Sequence, residues 1–259
     1  MKKYLMTVIA VLAASFTSCT NEVDMFEPIN SDKATINLNI TNDNSMNTRA
    51  VGDVPDPSNW YITVGTNAQI QVSDLSSQKY NAGTYNITVS NYASEAAAIS
   101  ANDAYYEGTN ENEQLSKGSN SVTVACGTAK NCRVKADLTN LVGFNQITGA
   151  KLTVSQASVS ARELTTATTT GYFYAGTGKT ISYTLSYTYT KADNSTAEKT
   201  ASGSISNPAA ATEYQVKVVT NSNGTITLTV TYDTDFTTVT TETITIDAAT
   251  GDKVPAQQS

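Results

Sequence analysis

The 259-residue sequence contains no histidine, and only 15% of its residues are charged. The side chain most often used as a general acid or base near neutral pH is therefore missing. A zinc site, which needs four protein ligands or three and a water, is not supported either, because the imidazole donors are absent and only three cysteines remain. Basic charge is also sparse, with 16 Lys and Arg against 23 Asp and Glu. No basic patch accompanies them, which argues against nucleic acid as a partner, since binding to it rests on Lys and Arg contacts to phosphate. Prolines number five and tryptophan one. No apolar run approaches the roughly 20 residues that a helix needs to cross a bilayer.

What is abundant is Thr, Ser, Asn, Ala and Tyr, the last at 14 copies. Thr and Tyr suit strands with one buried and one wet face. The pattern along the chain agrees. Ala34, Ile36, Leu38 and Ile40 alternate with Thr35, Asn37 and Asn39, the period of a half-buried strand. Residues 41–58 form a loop rich in Asn and Asp, with Pro55 and Pro57, and Thr48-Arg49-Ala50 near its middle. Strands follow around Trp60–Val64, Ile70–Val72 and Thr84–Ser90. Ala93–Ala104 reads as a short helix or a crossover, and the stretch after Tyr105-Tyr106-Glu107-Gly108 as a polar loop through Asn120.

Ser121–Leu138 reads as a hairpin. Val122, Val124 and Cys126 share one face of its first arm; Cys132, Val134, Ala136 and Leu138 share one face of its second. In that arrangement Cys126 and Cys132 face each other within disulfide range, leaving either a bridge or two buried thiols. Leu152 and Val154 open a second set of strands. Ala161–Gly171 reads as a Thr-rich connection. Thr180–Thr190 alternates over its whole length, with Ile181, Tyr183, Leu185, Tyr187 and Tyr189 on one side, and Thr196–Ile205 returns. Asn223-Gly224 between two alternating runs, Tyr214–Thr220 and Thr225–Tyr232, is a strong hairpin signal. Short strands with one apolar face predict an all-β chain of two tandem sandwiches, residues 34–139 and 140–248, with a polar tail at 249–259.

The start of the chain is of another kind. Lys2 and Lys3 precede an apolar run, Tyr4–Ala14, and small and hydroxyl residues lead to Cys19, the form of a secretory signal over residues 1–18. Thr17-Ser18-Cys19 resembles the lipobox of bacterial lipoproteins. That resemblance implies cleavage before Cys19 and acylation of its thiol and amine; the alternative is an ordinary signal that leaves Cys19 free. Several acyl chains on one residue hold a protein stably at a membrane. Residues 19–33 then read as a linker. Its Glu22, Asp24 and Glu27 resemble surface-export signals of Bacteroidetes lipoproteins, and serve equally well as solvated linker residues. Without the leader the chain keeps 14 basic and 23 acidic residues, a formal net charge of −9.

Gly83-Thr84-Tyr85-x-Ile87-x-Val89, Tyr105-Tyr106-Glu107-Gly108, the two cysteine-bearing arms, Gly171-Tyr172-Phe173 and the Tyr214–Tyr232 hairpin occur in an order that resembles an uncharacterised family of Bacteroidetes surface lipoproteins allied to the fimbrillins. The resemblance covers about residues 34–247. It implies two transthyretin-like or immunoglobulin-like β-sandwiches, display on the outer membrane through the lipid, and a part in adhesive pili. It also implies proteolytic maturation after an Arg that follows the first strand, here Arg49 before Ala50. The strand bearing Ile36, Leu38 and Ile40 would then give way to one from another subunit. The alternative is a solvated Arg in a loop. After Ile246 only Ala248, Ala249, Val254 and Ala256 could serve as donor-strand residues, around Gly251 and Pro255, which favours an anchor, tip or stand-alone subunit over a repeating shaft subunit.

Two other functions compete with a non-catalytic fimbrial adhesin or accessory subunit. Surface glycan binding would use exposed faces among Tyr105, Tyr106, Tyr172, Phe173 and Tyr174. An enzyme would need paired carboxylates such as Asp233 and Asp235, for which a solvated loop is the ordinary reading. No cofactor is implied, and the expected partners are a membrane, other fimbrial subunits, or host and glycan surfaces. Native material should carry fatty acid on Cys19 by mass spectrometry, and Cys19→Ser should move the protein from the membrane to the soluble fraction.

Overall fold

A computed structural model describes residues 32–41, 57–141, 147–190, 193–220, 226–234, 237–238 and 242–246, with side chains as far as residue 218. Strands dominate, and their apolar faces gather into two separate cores.

The first core lies between two sheets. One has the order β4-β1-β7, from Tyr80–Asn81, Lys33–Thr41 and Gly118–Ala125. The other has the order β3-β2-β5-β6, from Ile70–Gln71, Tyr61–Val64, Gly83–Ser90 and Glu107–Leu115. Trp60, Ile62, Ile87, Val89, Leu115, Val122 and Val124 fill the space between them. A helix, α1 (Glu95–Ala101), lies in the crossover from β5 to β6. Ser94 caps its start by accepting a hydrogen bond from the Ala97 amide at 3.2 Å, and Asn102 ends it in the left-handed conformation at φ 58°.

The second core lies between the sheet β10-β9-β12-β13 (Val159–Leu164, Ile147–Gln156, Thr180–Thr190, Thr196–Ser206) and a larger one. The larger sheet has the order β11-β8-β14-β15 (Thr170–Phe173, Cys132–Asp137, Glu213–Thr220, Ile226–Thr234). Beyond β15 lie β16 (Thr237–Thr238) and β17 (Glu242–Ile246). The period-two reading of β12 holds, because Ile181, Tyr183, Leu185, Tyr187 and Tyr189 are all buried. Its pairing with β13 also holds, from Thr180↔Ser206 to Thr190↔Thr196. So does the pairing of β14 with β15, whose Asn-Gly turn lies outside the described residues. The all-β sandwich architecture is as expected.

Three expectations need correction. The Ser121–Leu138 hairpin does not form. β7 pairs in parallel with β1, while β8 pairs with β11 and, in parallel, with β14. Alternation marks the inward face of a strand but not its neighbour, and both arms keep the inward faces read from the sequence. The change of core accordingly falls between Cys126 and Cys132 rather than at residue 139. The polar stretches after Gly108 through Asn120 and at Ala161–Gly171 are not simply loops, since they contain most of β6 and β10 and the first residues of β7 and β11. Both lie at sheet edges, where few side chains must be apolar.

Gly108 shows how tightly the first sandwich closes. A Cβ there would lie 2.0 Å from the Ala125 carbonyl oxygen and 2.9 Å from the Cys126 sulfur. β6 therefore passes the end of β7 at a distance that only glycine permits. Gly108→Ala should lower stability by about 1–3 kcal/mol, the usual cost of overpacking, measured by denaturant titration.

Candidate functional site

Two places concentrate features that ordinary core packing does not require. One is β1, and the other is the junction between the cores.

β1 meets β7 through eight residue pairs, Ala34↔Gly118 to Thr41↔Ala125, but meets β4 only at Lys33 and Ala34. Ala34 and Ile36 are buried in the first core. Leu38 and Ile40 pack against it but are only half-buried. The difference follows from the pairing, because β4 flanks only the start of the strand. Arg49, Ala50 and Cys19 lie outside the described residues.

The junction is polar and depends on two asparagines. Asn131 is 1% exposed. Its Oδ1 accepts from the Tyr105 amide at 3.0 Å, its Nδ2 donates to the Asp103 carbonyl at 2.9 Å, and its own carbonyl accepts from Ala211 at 2.9 Å. Asn102, at the end of α1, treats β11 as a neighbouring strand would. Its Nδ2 donates to the Thr170 carbonyl at 3.1 Å and its Oδ1 accepts from the Tyr172 amide at 3.0 Å. Arg162 of β10 donates to the Ile99 carbonyl and holds its guanidinium 6.0 Å over the Phe173 ring. Tyr172 of the second sandwich packs against the first core. Arg133 and Glu213, opposite each other on β8 and β14, form a half-buried ion pair.

None of these polar anchors stood out in the sequence. Asn102 had a usable signal, since Asn after an Ala-rich run is a helix stop. Asn131 sat in what read as a turn.

A cleft of about 270 Å³ opens beside the junction, between α1 and the β9–β10 turn, with Ile99, Ser100, Ser158, Arg162 and Tyr174 in its wall. The aromatic residues considered for sugar stacking offer little open surface. Tyr105, Tyr106 and Phe173 are buried, Tyr172 and Tyr174 are half-buried, and the Lys179 ammonium lies 5.3 Å from the Tyr174 ring. The Tyr105 hydroxyl donates to Glu107 at 2.6 Å. Asp233 lies in β15 opposite Glu213, and Asp235 lies outside the described residues.

Residues 32–248 match the family described as a domain of unknown function, DUF4493. The chain belongs to that family. No curated protein sequence matches this DUF4493 chain. Among solved structures it is similar to a fimbrial assembly protein from Parabacteroides distasonis, with 12% identity and a TM-score of 0.46, covering 80% of this chain and 98% of the other. It is also similar to a proposed adhesin from Bacteroides ovatus, with 12% identity and a TM-score of 0.30, covering 66% and 82%.

In this DUF4493 chain Cys126 and Cys132 are both free and buried, one in each core, so the bridge considered from the sequence is not present. The Cys126 thiol lies 3.7 Å from the Val89 carbonyl oxygen, and the Cys132 thiol lies 3.4 Å from that of Phe173. Burial pushes their pKa values up to about 11 and about 12. An unfolded thiol titrates near 8.5. The folded state therefore resists ionisation, and the stability this represents is whole below the unfolded pKa and is lost as pH rises toward 11 and 12. At pH 8 both thiols should resist alkylation in the folded protein and react fully in denaturant, as read by mass spectrometry.

Proposed function

We propose that this chain is a non-catalytic, lipid-tethered cell-surface protein serving a fimbrial system as an anchor, tip or stand-alone adhesin. The observation that supports this reading best is the setting of β1. It lies between β7 and the two-residue β4, burying Ala34 and Ile36 in the first core while pairing along its length only with β7 among the described strands. Removing such a strand uncovers apolar pockets and a row of backbone donors and acceptors, and an incoming strand satisfies both. Arg49, which follows β1 in sequence, gives a trypsin-like protease its cleavage position. The lack of histidine and the shortage of charge fit a protein that binds rather than catalyses.

The partners in this reading are a membrane, through Cys19 in chains that keep β1, and other subunits, through strand exchange at the β1 position in chains cleaved after Arg49 and so parted from the Cys19 segment. Host or glycan surfaces are the target of adhesion.

Treatment of the native full chain with an Arg-specific protease should yield one new terminus at Ala50. The remaining body should bind a synthetic peptide of residues 33–41, with a rise in its melting temperature. An Arg49–Ala50 bond that stays intact under native conditions, or a cleaved body with no affinity for the peptide, would refute strand exchange. Long homopolymers after cleavage would replace the accessory role with that of a shaft subunit.

A further inference from the structure

We propose that the first sandwich is a force-transmitting link whose mechanical strength resides in the β1–β7 pair. The argument is one of direction. β1 and β7 are adjacent and parallel, so residue 34 lies beside 118 and residue 41 beside 125. The segment that precedes Asp32 in sequence leads into the first end of β1. The second sandwich is joined to the far end of β7, through residues 126–131 to β8. A pull between the two therefore acts on neighbouring strands at opposite ends and along their length. All the ladder bonds bear it together, because the strands must slide before any pair separates. Were the two strands antiparallel, the same pull would act at one end and open the pairs one after another.

Local chemistry reinforces the end of β1 where such a pull enters. The Asn37 amide donates to the Ser119 hydroxyl at 2.8 Å, and the Asn120 amide donates to the Thr35 carbonyl at 3.2 Å. The Thr35 hydroxyl donates to the Gly118 carbonyl at 3.4 Å, and Lys117 pairs with Asp32. At the other end the ladder continues beyond β7, where the Cys126 amide donates to the Thr41 carbonyl at 2.9 Å. Sliding would also drag Ala34 and Ile36 out of register with the core that encloses them. The second sandwich receives the pull in the same sense. Force reaches Cys132 at the start of β8 and leaves beyond β17, which points the same way as β8, since β14 is parallel to β8 and β15 and β17 each reverse direction.

A load in the cell presupposes the surface tether of the preceding section, in chains that keep β1; the geometry of the pair does not. The mature chain with Cys19→Ser can be held in a force spectrometer by handles at its two termini. The same chain with Lys117→Cys, which lacks the ion pair to Asp32 and is therefore pulled in both geometries, can also be held by its N-terminus and residue 117, which lies beside β1's first end; the buried native thiols do not compete for that handle. Pulling between the termini should open the first sandwich at a several-fold higher force than pulling on residue 117, which peels the pair apart. Asn37→Ala should lower the force only in the first geometry. Equal forces in the two geometries, or a lower force between the termini, would overturn the proposal. Neither measurement needs lipid or protease. A failure here thus leaves surface tethering intact, and a native Cys19 without lipid leaves the force difference intact.

Discussion

The arrangement of this protein depends on one short connection. β7 ends in the first core, β8 begins in the second, and only residues 126–131 separate them. Two sandwiches joined so closely must touch, and the contact they make is held by directed hydrogen bonds. Asn131 joins Tyr105, Asp103 and Ala211, and Asn102 joins β11 to the end of α1. Leaving a buried polar group unsatisfied costs about 1–3 kcal/mol, so each asparagine defines one seating of the two halves and penalises others. A purely apolar contact would tolerate sliding more readily.

The topology of each half places its first strand in parallel with a later one, β1 with β7 and β8 with β14. Parallel neighbours cannot be joined by a tight turn, so the chain must make a long excursion between them. In the first half that excursion contains β2 to β6 and α1. The strand that opens the half is thus completed last in sequence, by residues more than 80 positions away. Such a strand is held mainly by its ladder and its two buried side chains, Ala34 and Ile36. The same feature makes it a natural candidate for exchange and a natural point of attachment for a tether.

Faces were legible in the sequence, and partners only where a short connection joins successive strands, as for β12 with β13 and β14 with β15. The inward residues of β1, β7, β8, β12 and β14 follow from period-two alternation, which is a property of the strand alone. Pairing is a property of the whole sheet. Val122, Val124, Cys132 and Val134 were assigned inward correctly, yet their strands belong to different sandwiches. Polar edge strands such as β6, where Glu and Asn alternate with few apolar residues, carried too weak a pattern to separate from loop. Sites built from backbone contacts left almost no trace. Asn131 and Asn102 act through carbonyls and amides whose positions depend on the tertiary fold. Tyr105 and Tyr106 could be read as surface platforms or as core, because aromatic pairs are ambiguous when their burial is unknown; both are buried. The leader lies outside the described residues, and its reading rests on sequence alone.

The separation of the two thiols has a bearing on how the chain must mature. In the unfolded polypeptide Cys126 and Cys132 are six positions apart, close enough to meet often. An oxidant that reached them before folding would close a small ring across the segment where β7 and β8 must part company. The ring would favour the local hairpin that the native topology avoids. Burial in opposite interiors removes that hazard once folding is complete, so the order of the two events decides whether the chain reaches its proper form.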